Sequence, residues 1–140
     1  MSNTKKGFTL LELLIVISII GILIAVVAVA YTTVQQKSRD ARRKGDIKAI
    51  SDALEQYYAD NESSYPSDTN CTGIVGATYL PGGVPTDPKG GTYNYTCRSA
   101  ASAYCICAQL EGGGGNATTA AGSTSCSYGS GDYFCLSNLQ

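Results

Sequence analysis

Histidine is absent from the 140 residues, and charge is scarce: Asp, Glu, Lys and Arg together make up 15%, against roughly 25% in ordinary soluble domains. Without histidine the chain lacks the commonest general base and the commonest metal ligand. No nucleophile–base pair can be drawn, and no carboxylate pair stands out, so the sequence argues against an enzyme. There is no C-x-x-C pair either, the spacing that marks a structural zinc site. Ten basic and eleven acidic residues leave a net charge of −1, which excludes a basic nucleic-acid coat; any basic patch must be local.

The chain does have apolar length. From Leu13 to Gln36 no charge occurs over 24 residues, and Leu13–Ala30 is apolar apart from Ser18 and Gly21, with no proline to interrupt it. At 1.5 Å per residue such a helix reaches about 36 Å, enough to cross a bilayer core of about 30 Å. A helix this apolar on every face would need a much larger protein to bury it in water. The polar leader carries Lys5 and Lys6, a charge placement that keeps the leader in the cytoplasm. A basic leader before an apolar run also suits a secretory signal peptide, but the run is longer than a signal h-region of about 7–15 residues. Glu12 sits near its start, where a carboxylate costs insertion energy and demands compensation.

After Gln36 the pattern changes. Lys37, Arg39, Arg42, Arg43, Lys44 and Lys48 face only Asp40 and Asp46. The sequence predicts a solvated helix face with i,i+4 pairs such as Asp40–Lys44, or ion pairing between subunits, ahead of a lipid or DNA contact. Ile47, Ile50, Leu54, Tyr57 and Tyr58 then recur at helical spacing, an apolar stripe for a small head. One helix over Thr9–Asn61 is expected, ended by Asn61, Ser63, Ser64 and Pro66.

Residues 67–140 are rich in Gly, Ser and Thr. Strands are predicted at Thr92–Arg98, Ala103–Glu111 and Tyr133–Asn138, making a three-stranded antiparallel sheet, with a long loop beginning at Glu111-Gly-Gly-Gly-Gly-Asn116. Cys71, Cys97, Cys105, Cys107, Cys126 and Cys135 all lie in this head. Six cysteines in a thin core point to disulfides in an oxidising compartment, with 15 possible connectivities. Cys105 and Cys107, two apart on one strand, have Cα atoms about 6.5–7 Å apart, poorly placed to bond to each other. No cofactor is expected. For Ca²⁺ the head offers Asp132 with Ser127 and Ser130, one carboxylate where the ion takes six to eight oxygens.

Lys6-Gly7-Phe8-Thr9-Leu10-Leu11-Glu12 resembles the processing site of type IV pilins and type II secretion pseudopilins. The stretch from Asp40 to Pro66, DARRKGDIKAISDALEQYYADNESSYP, is similar to the stem of major pseudopilins. Pro85–Tyr95 resembles their P-x-DP-x-G-x-x-Y-x-Y segment, with Lys89 and Gly91 where the family usually has Trp and Asn. The proline common in the middle of pilin helices is missing; Ala25–Ala30 reads AVVAVA. The resemblance implies an α+β pilin-like fold, a long N-terminal helix, transmembrane in its first half, packed on a small antiparallel sheet. It implies a leader 1–7, a transmembrane and polymerisation helix 8–36, an amphipathic stem 37–61 and a disulfide-rich head 62–140. A prepilin peptidase is expected to cut between Gly7 and Phe8, after which Phe8 is N-methylated. Phe8 and Glu12 are the assembly residues: Glu12 of one subunit neutralises the new amino terminus of a neighbour. The implied partners are further copies in a helical filament, an inner-membrane assembly platform and the membrane. The implied place is the inner membrane, single-pass with the head extracytoplasmic, and then an extracellular pilus or periplasmic pseudopilus. The alternative, a competence-type pseudopilin or minor pilin that binds DNA, requires a basic head. Residues 67–140 carry only Lys89 and Arg98 against Asp68, Asp87, Glu111 and Asp132.

Overall fold

The structure, a computed structural model, describes residues 7–138 apart from 75, 77 and 92. Residues 1–6 of the expected leader, and Thr92 at the start of one expected strand, lie outside the described residues. Internal contacts divide the chain into two units, Met1–Gln35 and Gln36–Gln140. A single helix, α1, runs Leu10–Asp60, as the uninterrupted helix-forming sequence requires. Its end is set by local geometry. Glu62 and Ser63 take left-handed φ values of 53° and 58°, and the Ser63 N–H returns to the Tyr58 carbonyl at 3.2 Å.

In the first unit every described side chain is exposed, and the helix is long and apolar enough to cross a membrane. In the second unit, α1 presents Ile47, Ile50 and Leu54, all fully buried, to a five-stranded antiparallel sheet. The strands are β1 (Thr96–Ala100), β2 (Ala103–Gln109), β3 (Gly115–Ala117), β4 (Tyr128–Gly131) and β5 (Tyr133–Ser137), in the order β1-β2-β5-β3-β4. The interior strand β2, between β1 and β5, is buried on both faces. Tyr104, Ile106 and Ala108 join the helix stripe, Tyr65 and Ile74 in one core, with Phe134 and Leu136 packed against it. Cys105 and Cys107 point the other way into a second core with Cys135, Ala117 and Ala121.

The sheet has five strands where the sequence reading expects three. The two additional strands, β3 and β4, are short and, apart from Tyr128, built from glycine and small residues, which give little β-propensity signal. Backbone proximity makes them strands. A Cβ on Gly115 would run into the Tyr133 carbonyl, and one on Gly131 into that of Ala117, so glycine is what lets these backbones close. The expected loop from Glu111 to Asn116 therefore enters the sheet at Gly115. β1 begins at Thr96, later than expected, after a turn built on Gly90 and Gly91 with φ of 65° and 68°.

Candidate processing and assembly site

The first helical turn is organised around Glu12. The Thr9 N–H and the Thr9 hydroxyl both donate to Glu12 Oε2, at 2.8 and 2.9 Å, and the Glu12 N–H returns to Thr9 Oγ1 at 3.2 Å. This is a reciprocal capping box: the helix start satisfies two of its own orphan donors with a Thr and a Glu three residues apart. The T-x-x-E spacing that signals it was legible in the sequence at Thr9–Glu12. The compensation that the carboxylate demands thus begins within the chain. The helix dipole adds to it, since a negative group in the first turn faces the positive helix end. Phe8, next to this cap, is 86% exposed, and Gly7 beside it has open space where a side chain would stand.

In the second unit the basic stem is only partly the solvated face that the sequence predicts: Lys37, Arg42, Lys44 and Lys48 are exposed, with i,i+4 pairs Arg42–Asp46 and Lys48–Asp52, but Arg39 and Arg43 turn to the head. Arg43 is fully buried and bonds three carboxylates: Asp87 at 2.6 Å, Asp40 at 2.7 Å and Glu111 at 2.8 Å. Arg39 adds a two-bond fork to Glu111 at 2.7 and 2.8 Å, and Lys89 reaches the same carboxylate at 3.0 Å. Asp40 pairs with Arg43 rather than Lys44, and accepts the backbone N–H groups of Glu111 and Gly112 at 2.9 Å each. Lys44 instead lies over the Phe134 ring. Three cations and three carboxylates form a balanced network that ties the turn at Asp87 and the loop at Glu111 to the helix. The Arg39 fork holds Glu111 far below the usual carboxylate range, against the opposing effect of burial. Burial alone would raise Asp87; the bonds from Arg43 and the Lys89 N–H overcome it and lower it. Tyr104 makes a second tie, its hydroxyl donating to Glu55 at 2.8 Å beside Ser51 at 2.9 Å.

The six cysteines form three disulfides: Cys71–Cys97, Cys105–Cys126 and Cys107–Cys135. The first lies in the core that α1 covers, the others in the opposite core. Cys107 and Cys135 stand directly opposite each other in the β2–β5 pairing. Cys126 brings the segment before β4 onto β2. Asp132, the carboxylate considered for Ca²⁺, sits on the turn between β4 and β5, where its own carbonyl accepts the Leu110 N–H at 2.7 Å. Among the described residues it belongs to no group of three or more carboxylate or cysteine side chains with metal-ligand spacing.

A long exposed apolar helix, capped on a glutamate and continued into a helix-on-sheet head, defines a pilin-like subunit. Comparison with known proteins agrees. The profile described as the prokaryotic N-terminal methylation motif matches residues 2–28. The type II secretion system core protein G of Pseudomonas aeruginosa is 34% identical over 106 residues, 65% of this chain and 72% of that protein. Its Vibrio cholerae counterpart is 35% identical over 103 residues, 65% of this chain and 70% of that protein. The type IV major alpha-pilin of Moraxella bovis is 39% identical over 70 residues, half of this chain and 44% of that pilin. No solved structure matches. The chain belongs to the family of type IV pilins and type II secretion pseudopilins. It is a structural subunit of the pilus or pseudopilus kind.

Proposed function

We propose that this subunit polymerises through its N-terminal helix into a filament, a type IV pilus or a secretion pseudopilus. The observation that carries the reading is the first unit itself: an apolar surface exposed from Leu10 to Val34, with Glu12 as its single carboxylate. Such a surface is stable only in lipid or against other copies of itself. The extent of similarity to the secretion core proteins supports the pseudopilus.

In this reading residues 1–7 are a leader, 8–36 the membrane and polymerisation helix, 37–61 the stem and 62–140 the head. A prepilin peptidase cuts between Gly7 and Phe8, and Phe8 becomes the methylated terminus. Both Thr9 bonds go to Oε2 of Glu12, leaving Oε1 for the cationic amine of a neighbouring Phe8. Burying the two charges together offsets part of the cost that each carries alone and fixes the axial register of the subunits. Before assembly the subunit sits single-pass in the inner membrane with its head outside the cytoplasm, where an assembly platform extracts it. The oxidised cysteines suit that compartment.

Intact-mass measurement of the mature protein, with electron microscopy of sheared filaments, tests this. The expected species begins at Phe8, carries one added methyl group, and is the main component of the filaments. A mature chain beginning at Met1, or one cut within residues 20–30, would overturn it.

A further inference from the structure

Four of the six cysteine sulfurs converge on one point. Cys105 and Cys107 come from one face of β2, Cys135 from β5, and Cys126 from the segment before β4. Their Sγ atoms all lie within 4.8 Å of one another. Cys105 and Cys107, which are not bonded to each other, stand 3.7 Å apart. In a tetrahedral four-thiolate zinc site, with Zn–S near 2.3 Å, each edge of the tetrahedron is about 3.8 Å. The unbonded pair already spans one such edge. Linear spacing hides this, because the chain contributes C-x-C and two distant cysteines rather than C-x-x-C pairs.

We propose that the head binds one zinc ion through the thiolates of Cys105, Cys107, Cys126 and Cys135 whenever their two disulfides are reduced. The pair of disulfides and the metal site are then two states of one sulfur cluster. A dithiol or phosphine reductant supplies one electron pair to each S–S bond and is itself oxidised, while the four sulfurs take up four protons. Zinc displaces those protons as it binds. A disulfide oxidant reverses the change, withdrawing two electron pairs, re-forming both S–S bonds and releasing the ion.

The fold suits the exchange. The β2–β5 pairing holds Cys105, Cys107 and Cys135 on a rigid frame. Cys126 is only partly buried and stands on a connecting segment, so it is the ligand that adjusts and the side from which an ion enters. Cys135 is fixed from behind, its backbone N–H donating to Asn116 Oδ1 at 2.7 Å and its carbonyl accepting the Asn116 side-chain amide at 2.9 Å. Cys71–Cys97 belongs to the other core and takes no part.

The test uses the full chain in detergent, reduced with a phosphine under anaerobic conditions and titrated with Co²⁺, then Zn²⁺. The expected result is one cobalt per chain with the visible bands of tetrahedral four-sulfur coordination, lost on adding zinc and weakened at acid pH because the thiols must deprotonate. Cys126→Ser should lose the four-sulfur spectrum, and the double variant Cys71→Ser/Cys97→Ser should keep it. Absence of the bands in the reduced wild type would overturn the proposal. So would an unchanged spectrum in Cys126→Ser, or its loss in the double variant.

Discussion

The Arg43 guanidinium and the Asp87 carboxylate, 44 residues apart in the chain, meet at 2.6 Å with essentially no access to solvent. Arg43 belongs to the helix and Asp87 to the Pro/Gly turn that leads into β1. A long connection with little regular structure thus acquires a fixed position through one buried pair. Closing such a segment costs conformational entropy, and a charge-assisted fork offsets that cost only when its geometry is kept.

Asp87→Ala leaves the buried guanidinium short of a partner. The expected loss of head stability is about 3 kcal/mol, the lower part of the range for breaking a buried ion pair, because Asp40 and Glu111 remain. Lys48→Ala removes the exposed Lys48–Asp52 pair at 3.1 Å, and should change stability by less than about 0.5 kcal/mol. Urea unfolding followed by circular dichroism compares the two. Equal small shifts would mean that the Arg43 network does not hold the turn.

Acid should cost stability through the carboxylates that the fold holds below their ordinary values. Asp87 and Glu111 are held below their ordinary values, Glu111 chiefly by Arg39. Asp68 falls to about 2, where burial is outweighed by N–H bonds from Asn70 and Gly73 and the Thr72 hydroxyl. A lowered carboxylate contributes stability above its unfolded pKa, near 4, and loses it as pH falls through the folded value. With no histidine to titrate, urea midpoints should stay flat from about pH 5 to 8 and drop between about pH 4 and 2. Glu111→Gln should lower the plateau and flatten the acid limb. A transition centred near pH 6 would contradict this account.

The helix, its two halves and the apolar stripe were legible because each rests on periodicity that local sequence carries: Leu13–Ala30 is apolar all round, Ile47, Ile50 and Leu54 recur at helical spacing. β2 was legible through Tyr104, Ile106 and their neighbours. β3 and β4 were not, since Gly115 and Gly131 become strand residues only where another backbone closes on them. Arg43 was hidden for a related reason. In sequence it is one of six positive residues, and what separates it from Lys44 is the pair of distant carboxylates that the fold brings to it. Thr9 is the opposite case: its capping signal, T-x-x-E, is purely local and stands in plain view within the longer motif.

The disulfides close segments with sequence separations of 26, 21 and 28. On the chain-entropy scale each contributes about 3 kcal/mol, so full reduction should lower head stability by several kcal/mol. Non-reducing peptide mapping should recover Cys71–Cys97, Cys105–Cys126 and Cys107–Cys135 with no free thiol. A Cys105–Cys107 peptide, or free thiols in the secreted form, would contradict the pairing. Cys126→Ser should release β4 while leaving the α1-covered core intact, since Cys71–Cys97 lies in that core.

Glu12 has two separable duties, and variants can divide them. As the capping-box partner of Thr9 it supports the first helical turn, at about 1 kcal/mol. As a carboxylate it is proposed to neutralise the amine of a neighbouring Phe8. Glu12→Ala removes both, eases insertion by removing a charge, and should leave the subunit membrane-inserted while filament formation stops or slows. Glu12→Gln keeps an oxygen acceptor for the Thr9 N–H and hydroxyl but loses the charge, and should fail in assembly nearly as completely. Thr9→Val keeps the charge and weakens the cap, so filaments should still form, at a reduced rate. Carbonate extraction measures insertion, and electron microscopy with quantified sheared protein measures assembly. Normal filaments from Glu12→Gln would show that the cap, not the charge, is what assembly needs from this residue.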